Sequence, residues 1–110
     1  MGEANESLLA NAMDRLWVKF LPQMEERVAK LEKAAESLMS GALSEEDQQR
    51  ASAEAHKLAG VLGTFGLEQG TTLAREAEEV YAGTLDRSPA VSERLTQIAD
   101  QLRGMIAGRK

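Results

Sequence analysis

The chain contains no cysteine, which excludes disulfide bonds, a thiolate nucleophile and cysteine-ligated zinc or iron. Proline is nearly missing, at two residues in 110, and the aromatic complement is one Trp, one Tyr and two Phe. Strand formers are scarce while Ala, Leu, Glu, Lys and Arg abound, so the composition is that of an all-α protein. Basic charge is also short. Thirteen Lys and Arg against 18 Asp and Glu leave a net charge of -5, which argues against a nucleic-acid partner. No apolar run approaches the roughly 20 residues that cross a bilayer, so no membrane partner is expected. The start, Met1-Gly2-Glu3-Ala4-Asn5-Glu6, lacks the basic-then-apolar order of a signal peptide, and Glu6 stands where a myristoylation signal takes Ser or Thr. The expectation is a cytoplasmic protein. With 43% hydrophobic residues, a chain of this length forms one domain, residues 1–110, and is expected as a monomer.

What is present reads as helices. Leu9, Met13, Leu16, Trp17 and Phe20 recur at spacings of three and four, which predicts a first amphipathic helix over about residues 5–20. Pro22 then reads as the start of a second, with Met24, Val28, Leu31, Ala35, Leu38 and Met39 on one stripe and an end near Ser40-Gly41. Ser44 before Glu45, Glu46 and Asp47 is a helix start signal, and that third helix carries Ala51, Ala55, Leu58, Leu62 and Phe65 on one face to a stop at Gly66. Leu67, Gly70, Ala74, Ala77, Val80 and Tyr81 mark a fourth that closes at Gly83, with Arg75, Glu76, Glu78 and Glu79 mostly off its apolar face. Ser88-Pro89 opens a last helix through Val91, Leu95, Ile98, Leu102, Met105 and Ile106 to about Gly108. Short connections favour antiparallel neighbours. The predicted fold is an antiparallel up-down-up-down four-helix bundle, with an additional N-terminal helix packed across one end.

The segment Ala55 to Gly66 departs from helical composition. It holds the only histidine, His56, and three of the nine glycines. Gly60 and Gly63 lie inside the expected helix, where each costs about 1 kcal/mol relative to alanine. At about 100° per residue, His56 points roughly 140° away from the apolar mean, and both glycines fall within about 40° of it. The imidazole thus faces solvent beside nearly bare backbone. Gln49, Ser52 and Ala53 bring short or neutral side chains to the same side, and Arg50 with Lys57 forms a basic edge. Glycines that served packing would lie on the apolar face; these lie opposite it. A neutral imidazole nitrogen is a competent nucleophile, and clearing its surroundings lets another protein bring an electrophile up to it.

Other histidine chemistry fits less well. Acyl transfer needs a nucleophilic serine or cysteine and an oxyanion site, neither of which is readable. A metal site needs further ligands, and there is no second His and no inward-facing Glu pattern. Self-phosphorylation from ATP needs a phosphate-cradling loop, and Gly60, Gly63 and Gly66 do not have that spacing.

Ala55 to Gly66 resembles the histidine-containing phosphotransfer (HPt) domain, the phosphoryl carrier of multistep phosphorelays. The match is to His-x-Leu-(Lys or Ala)-Gly, then five variable residues and Gly, with a looser extension from Leu67 to Glu78. The resemblance implies that His56 is phosphorylated on its ε nitrogen and that Gly60 leaves room for the partner. Many members carry lysine three residues after the histidine, where this chain has Ala59; the shielding cation is then assigned to Lys57, with Arg50 as helper. Receiver domains of response regulators or hybrid kinases are the implied partners. They dock on a surface taken to include Gln49, Ser52, Ala53, Ala59, Gly60, Gly63 and Thr64. The domain is implied to be a carrier and not an enzyme, with no cofactor of its own and the Mg2+ in the partner receiver. The contrasting reading is an adaptor bundle that binds receivers or kinases without carrying phosphate. A third is the dimerisation domain of a kinase, which completes its bundle only as two chains.

Overall fold

A computed structural model describes the backbone of residues 2–109 and the side chains of residues 6–109. It contains four helices, α1 (Gly2–Met39), α2 (Glu45–Thr64), α3 (Glu68–Ala82) and α4 (Pro89–Gly108), and no strand among the described residues. None of the described helices is long and apolar enough to cross a membrane.

The two N-terminal helices expected on either side of Pro22 are one helix of 38 residues. Pro22 lacks the N–H that would bond the Val18 carbonyl, a loss that commonly kinks or ends a helix. Here both Pro22 and Val18 face solvent, Val18 being 69% exposed, so water can serve the freed carbonyl. Trp17 and Met24, on either side of the proline, are both buried and hold the stripe in phase. The expected helix across one end therefore does not exist. At 1.5 Å per residue α1 spans about 57 Å, matching the 56 Å long dimension of the molecule. Its N-terminal part runs past the bundle, where Leu8 and Leu9 are 65% exposed.

The other boundaries follow local chemistry. Ser44 Oγ accepts the Asp47 amide at 3.0 Å, and three acids fill the first turn of α2. That helix ends at Gly66 (φ 74°), whose left-handed backbone lets the Leu67 amide reach the Leu62 carbonyl at 3.0 Å. Pro89 opens α4 after Ser88, whose amide donates to Asp86 Oδ1 at 2.9 Å.

Each helix packs against two others, α1 on α2 and α4, and α3 on α2 and α4, which leaves a single square core. Met24, Val28 and Leu31 from α1 meet Leu58 and Leu62 from α2, Tyr81 from α3, and Ile98 and Leu102 from α4 in that core. Cross-helix bonds order the elements. Arg27 of α1 meets Glu54 of α2 at 2.7 Å while Trp17 meets Phe65 with ring centroids 5.1 Å apart. Arg103 of α4 meets Glu32 of α1 at 2.5 Å, and Arg109 reaches back to Asp14 at 3.5 Å. Arg94 of α4 grips Glu76 of α3 at 2.6 Å. In α2 and α3, Gln48 donates to the Tyr81 carbonyl at 2.8 Å and Thr71 to the Ala59 carbonyl at 3.2 Å. In the first, second and last of these pairs, ascending one helix descends its neighbour.

Candidate functional site

His56 sits mid-way along α2 on the side away from the core, because Ala55 and Leu58 take the buried positions on either side of it in sequence. Its side chain is 73% exposed. It does have one fixed partner: Nδ1 lies 2.8 Å from Glu78 Oε2 on α3. An ionised carboxylate has no hydrogen to give, so Nδ1 is the donor and the neutral ring has its free lone pair on Nε2. Glu78 is itself positioned from below, since Ser52 Oγ donates to the Glu78 carbonyl at 3.2 Å and pins that turn of α3 to α2. The residue pair thus fixes both the tautomer and the ring orientation, as a carboxylate does behind a metal-bound histidine.

Gly60, one turn further, has nothing within 4 Å of where a side chain would begin. The surface beside the imidazole is bare backbone. Gly63 differs: a Cβ there would meet Thr71 Oγ1 at 3.5 Å, an ordinary contact, so this glycine borders the α2–α3 seam as well as open solvent. Thr64 is exposed and bonds the Gly60 carbonyl at 3.1 Å. Gln49 and Ala53 are exposed on the turns before the histidine, and Ser52 is half-buried against α3.

Two of the sequence-based assignments change. Ala59 is 3% exposed and its carbonyl accepts from Thr71, so it belongs to the helix seam and not to an open docking surface. Its position four residues after Ala55 puts it on the edge of the buried ladder Ala51–Ala55–Ala59. Arg50 turns back toward its own helix start, with Nη2 at 2.5 Å from Glu46 and Nη1 at 3.5 Å from Asp47. It is not gathered with His56. Lys57 is exposed about 100° round the helix from His56, on the side away from α3. Among the described residues no carboxylate pairs with it.

Glu78 is the site residue that sequence reading missed. It stood as one acid in the run Glu76, Glu78, Glu79, and only the packing of α3 against α2 separates it from the others. Among the described residues no three His, Cys, Asp or Glu side chains come together as a metal site.

A protein-family comparison matches residues 15–107 to the Hpt domain. The chain belongs to the Hpt family. Its all-helical bundle is that family's architecture, and Hpt domains are the phosphotransfer carriers of phosphorelays. Comparison with curated proteins finds no match, and comparison with solved structures finds none either. The Hpt match begins at residue 15, so the part of α1 that runs past the bundle lies largely outside it.

Proposed function

We propose that His56 accepts a phosphoryl group from the phospho-aspartate of a receiver domain and passes it to another receiver. The observation that carries this is the bond from Nδ1 to Glu78, which leaves Nε2 as the free nucleophile beside the open backbone of Gly60. In the transfer the Nε2 lone pair forms the N–P bond while the acyl phosphate P–O bond breaks and the aspartate carboxylate leaves. No proton moves, because Nδ1 keeps its hydrogen. The ring becomes a phospho-imidazolium, and Glu78 stabilises its positive charge through a bond already in place. The same stabilised cation remains a good leaving group for the return step.

In this reading the receiver supplies its own aspartate and Mg2+, and the Hpt domain supplies position and a prepared nitrogen. The receiver docks on the outer face of α2 with α3, over Gln49, Ala53, Gly60, Gly63 and Thr64, while Lys57 brings positive charge to one flank. The bundle is read as up-down-up-down, which the opposed cross-helix contacts support, and the domain acts as a cytoplasmic monomer. Incubation with a phosphorylated receiver is expected to put acid-labile phosphate on the wild type and none on His56→Gln. Equal labelling of the two proteins would refute the assignment.

A further inference from the structure

We propose that Arg75 of α3 faces the phosphoryl group carried on His56 and offsets its charge, a role that rests on the carrier reading above. The helix register locates it. Ser52 is bonded to Glu78 and Ala59 to Thr71, so Arg75, between those two contacts on α3, comes level with His56 on α2. The core face of α3 is Gly70, Leu73, Ala74, Ala77 and Tyr81. Arg75 is exposed, about 60° round the helix from Glu78 on its solvent side. Helical side chains lean toward their own N-terminus, which directs Glu78 forward to His56 and directs Arg75 toward Gly60. That is where α2 leaves open space.

Charge supplies the need. A phosphoryl group brings nearly two negative charges beside the Glu78 carboxylate, whose partner is the same imidazole. The imidazolium formed on loading offsets only one of these three negative charges, so a further cation nearby favours the loaded state. The other candidates are poorly placed: Arg50 is held by Glu46 and Asp47, Lys57 lies on the flank away from α3, and position 59 is buried alanine. Among the described residues Arg75 pairs with no carboxylate, Glu79 one turn further along α3 included. A guanidinium from the second helix also suits phosphate, since its fork can grip two oxygens.

The test loads His56 with phosphoramidate, a small phosphoryl donor that needs no partner protein, and follows the 31P resonance of the phosphohistidine against pH. Arg75→Gln is expected to raise the proton affinity of the phosphoryl group about two- to fivefold, and to shift its equilibrium with a receiver away from the histidine by a similar factor. Arg75→Lys restores most of both. Arg50→Gln removes the same charge from the same domain and leaves both near wild type. An Arg75→Gln protein that titrates like wild type overturns the inference, as does an Arg50→Gln protein shifted equally, which would mean bulk charge. In either of those cases His56 still loads and the carrier reading stands. A wild type that takes no phosphoryl on His56 from phosphoramidate or from a receiver removes that reading and the inference together.

Discussion

His56 and Glu78, on different helices, meet at 2.8 Å with the imidazole 73% exposed and the carboxylate only 29% exposed. The acid is the anchored member and the histidine the presented one. Removing the anchor leaves the nucleophile present but free to rotate and to put its hydrogen on either nitrogen. Glu78→Ala is expected to slow phosphoryl uptake about tenfold, while Glu78→Gln, whose amide oxygen can still accept from Nδ1, loses less. Initial rates of phosphohistidine formation measure this. Thermal melting is expected to change little, because the pair is near the surface.

Gly60 separates access from stability. With nothing within 4 Å of a Cβ at this position, Gly60→Ala has room and gains helix propensity, raising stability by up to about 1 kcal/mol. Gly60→Gln folds equally well but puts a long side chain beside the imidazole. Denaturant melts are expected to show both variants at or above wild-type stability, with transfer from a receiver slowed strongly only in the glutamine variant. A glutamine variant with unaltered transfer would place the docking surface elsewhere.

The bundle has an acid-sensitive clasp. Burial alone would raise the Glu54 carboxyl, but hydrogen bonds and charge from Arg27 and Lys30 outweigh it and hold the group below its ordinary value of 4.5. Arg103 and Arg94 likewise hold Glu32 and Glu76 low through direct hydrogen bonds. A carboxyl with a lowered folded value stabilises the fold above its unfolded value and loses that contribution as pH falls through the folded one. Stability is therefore expected to decline below about pH 4.5. Glu54→Gln, which breaks a pair whose side chains are each 15% exposed, is expected to cost about 1 to 2 kcal/mol at pH 7 and less in acid. Urea titrations at pH 7 and pH 3 test both halves.

Tyr81 gives the alkaline counterpart. It is the only tyrosine, 1% exposed, with no hydrogen-bond partner for its hydroxyl among the described residues, and burial pushes its ionisation up to about 12. A raised value means stability that is full below the ordinary value of 10.0 and is lost as pH climbs toward 12. Absorbance of the tyrosinate band follows this single group directly. Tyr81→Phe removes an unpaired buried hydroxyl and is expected to leave stability unchanged or raise it by about 1 kcal/mol, and to delay alkaline unfolding.

Much of this was legible in the residues, and the misreadings have particular causes. The directions of His56 and Gly60 follow from helical angles alone, since the buried ladder Ala51, Ala55, Leu58 and Leu62 fixes the opposite face. The ends at Ser44 and Gly66 are set by side-chain and backbone chemistry within a few residues. The break at Pro22 was over-read. Apolar residues keep their spacing of three and four from Leu9 through Phe20 and Met24 to Leu38 with no slip in phase, and that continuity outweighs one proline on the solvent side. Glu78 and Arg75 had no local signal. Their importance lies in the α2–α3 register, which depends on contacts such as Ser52 to Glu78 that link residues 26 apart. Ala59 was counted in the docking surface, although its spacing of four from Ala55 continues the buried ladder.

The only tryptophan lies where three chain segments converge. Trp17 of α1 is 4% exposed, stands edge-on to Phe65 just beyond α2, and is capped by the Arg109 guanidinium 4.6 Å from its ring just beyond α4. Fraying of either helix end uncovers the indole to water while the histidine at mid-helix stays in place. Intrinsic fluorescence of this chain therefore reports the integrity of that one end of the bundle, and phosphoryl loading at His56 is optically silent there unless it loosens the far ends of α2 and α4.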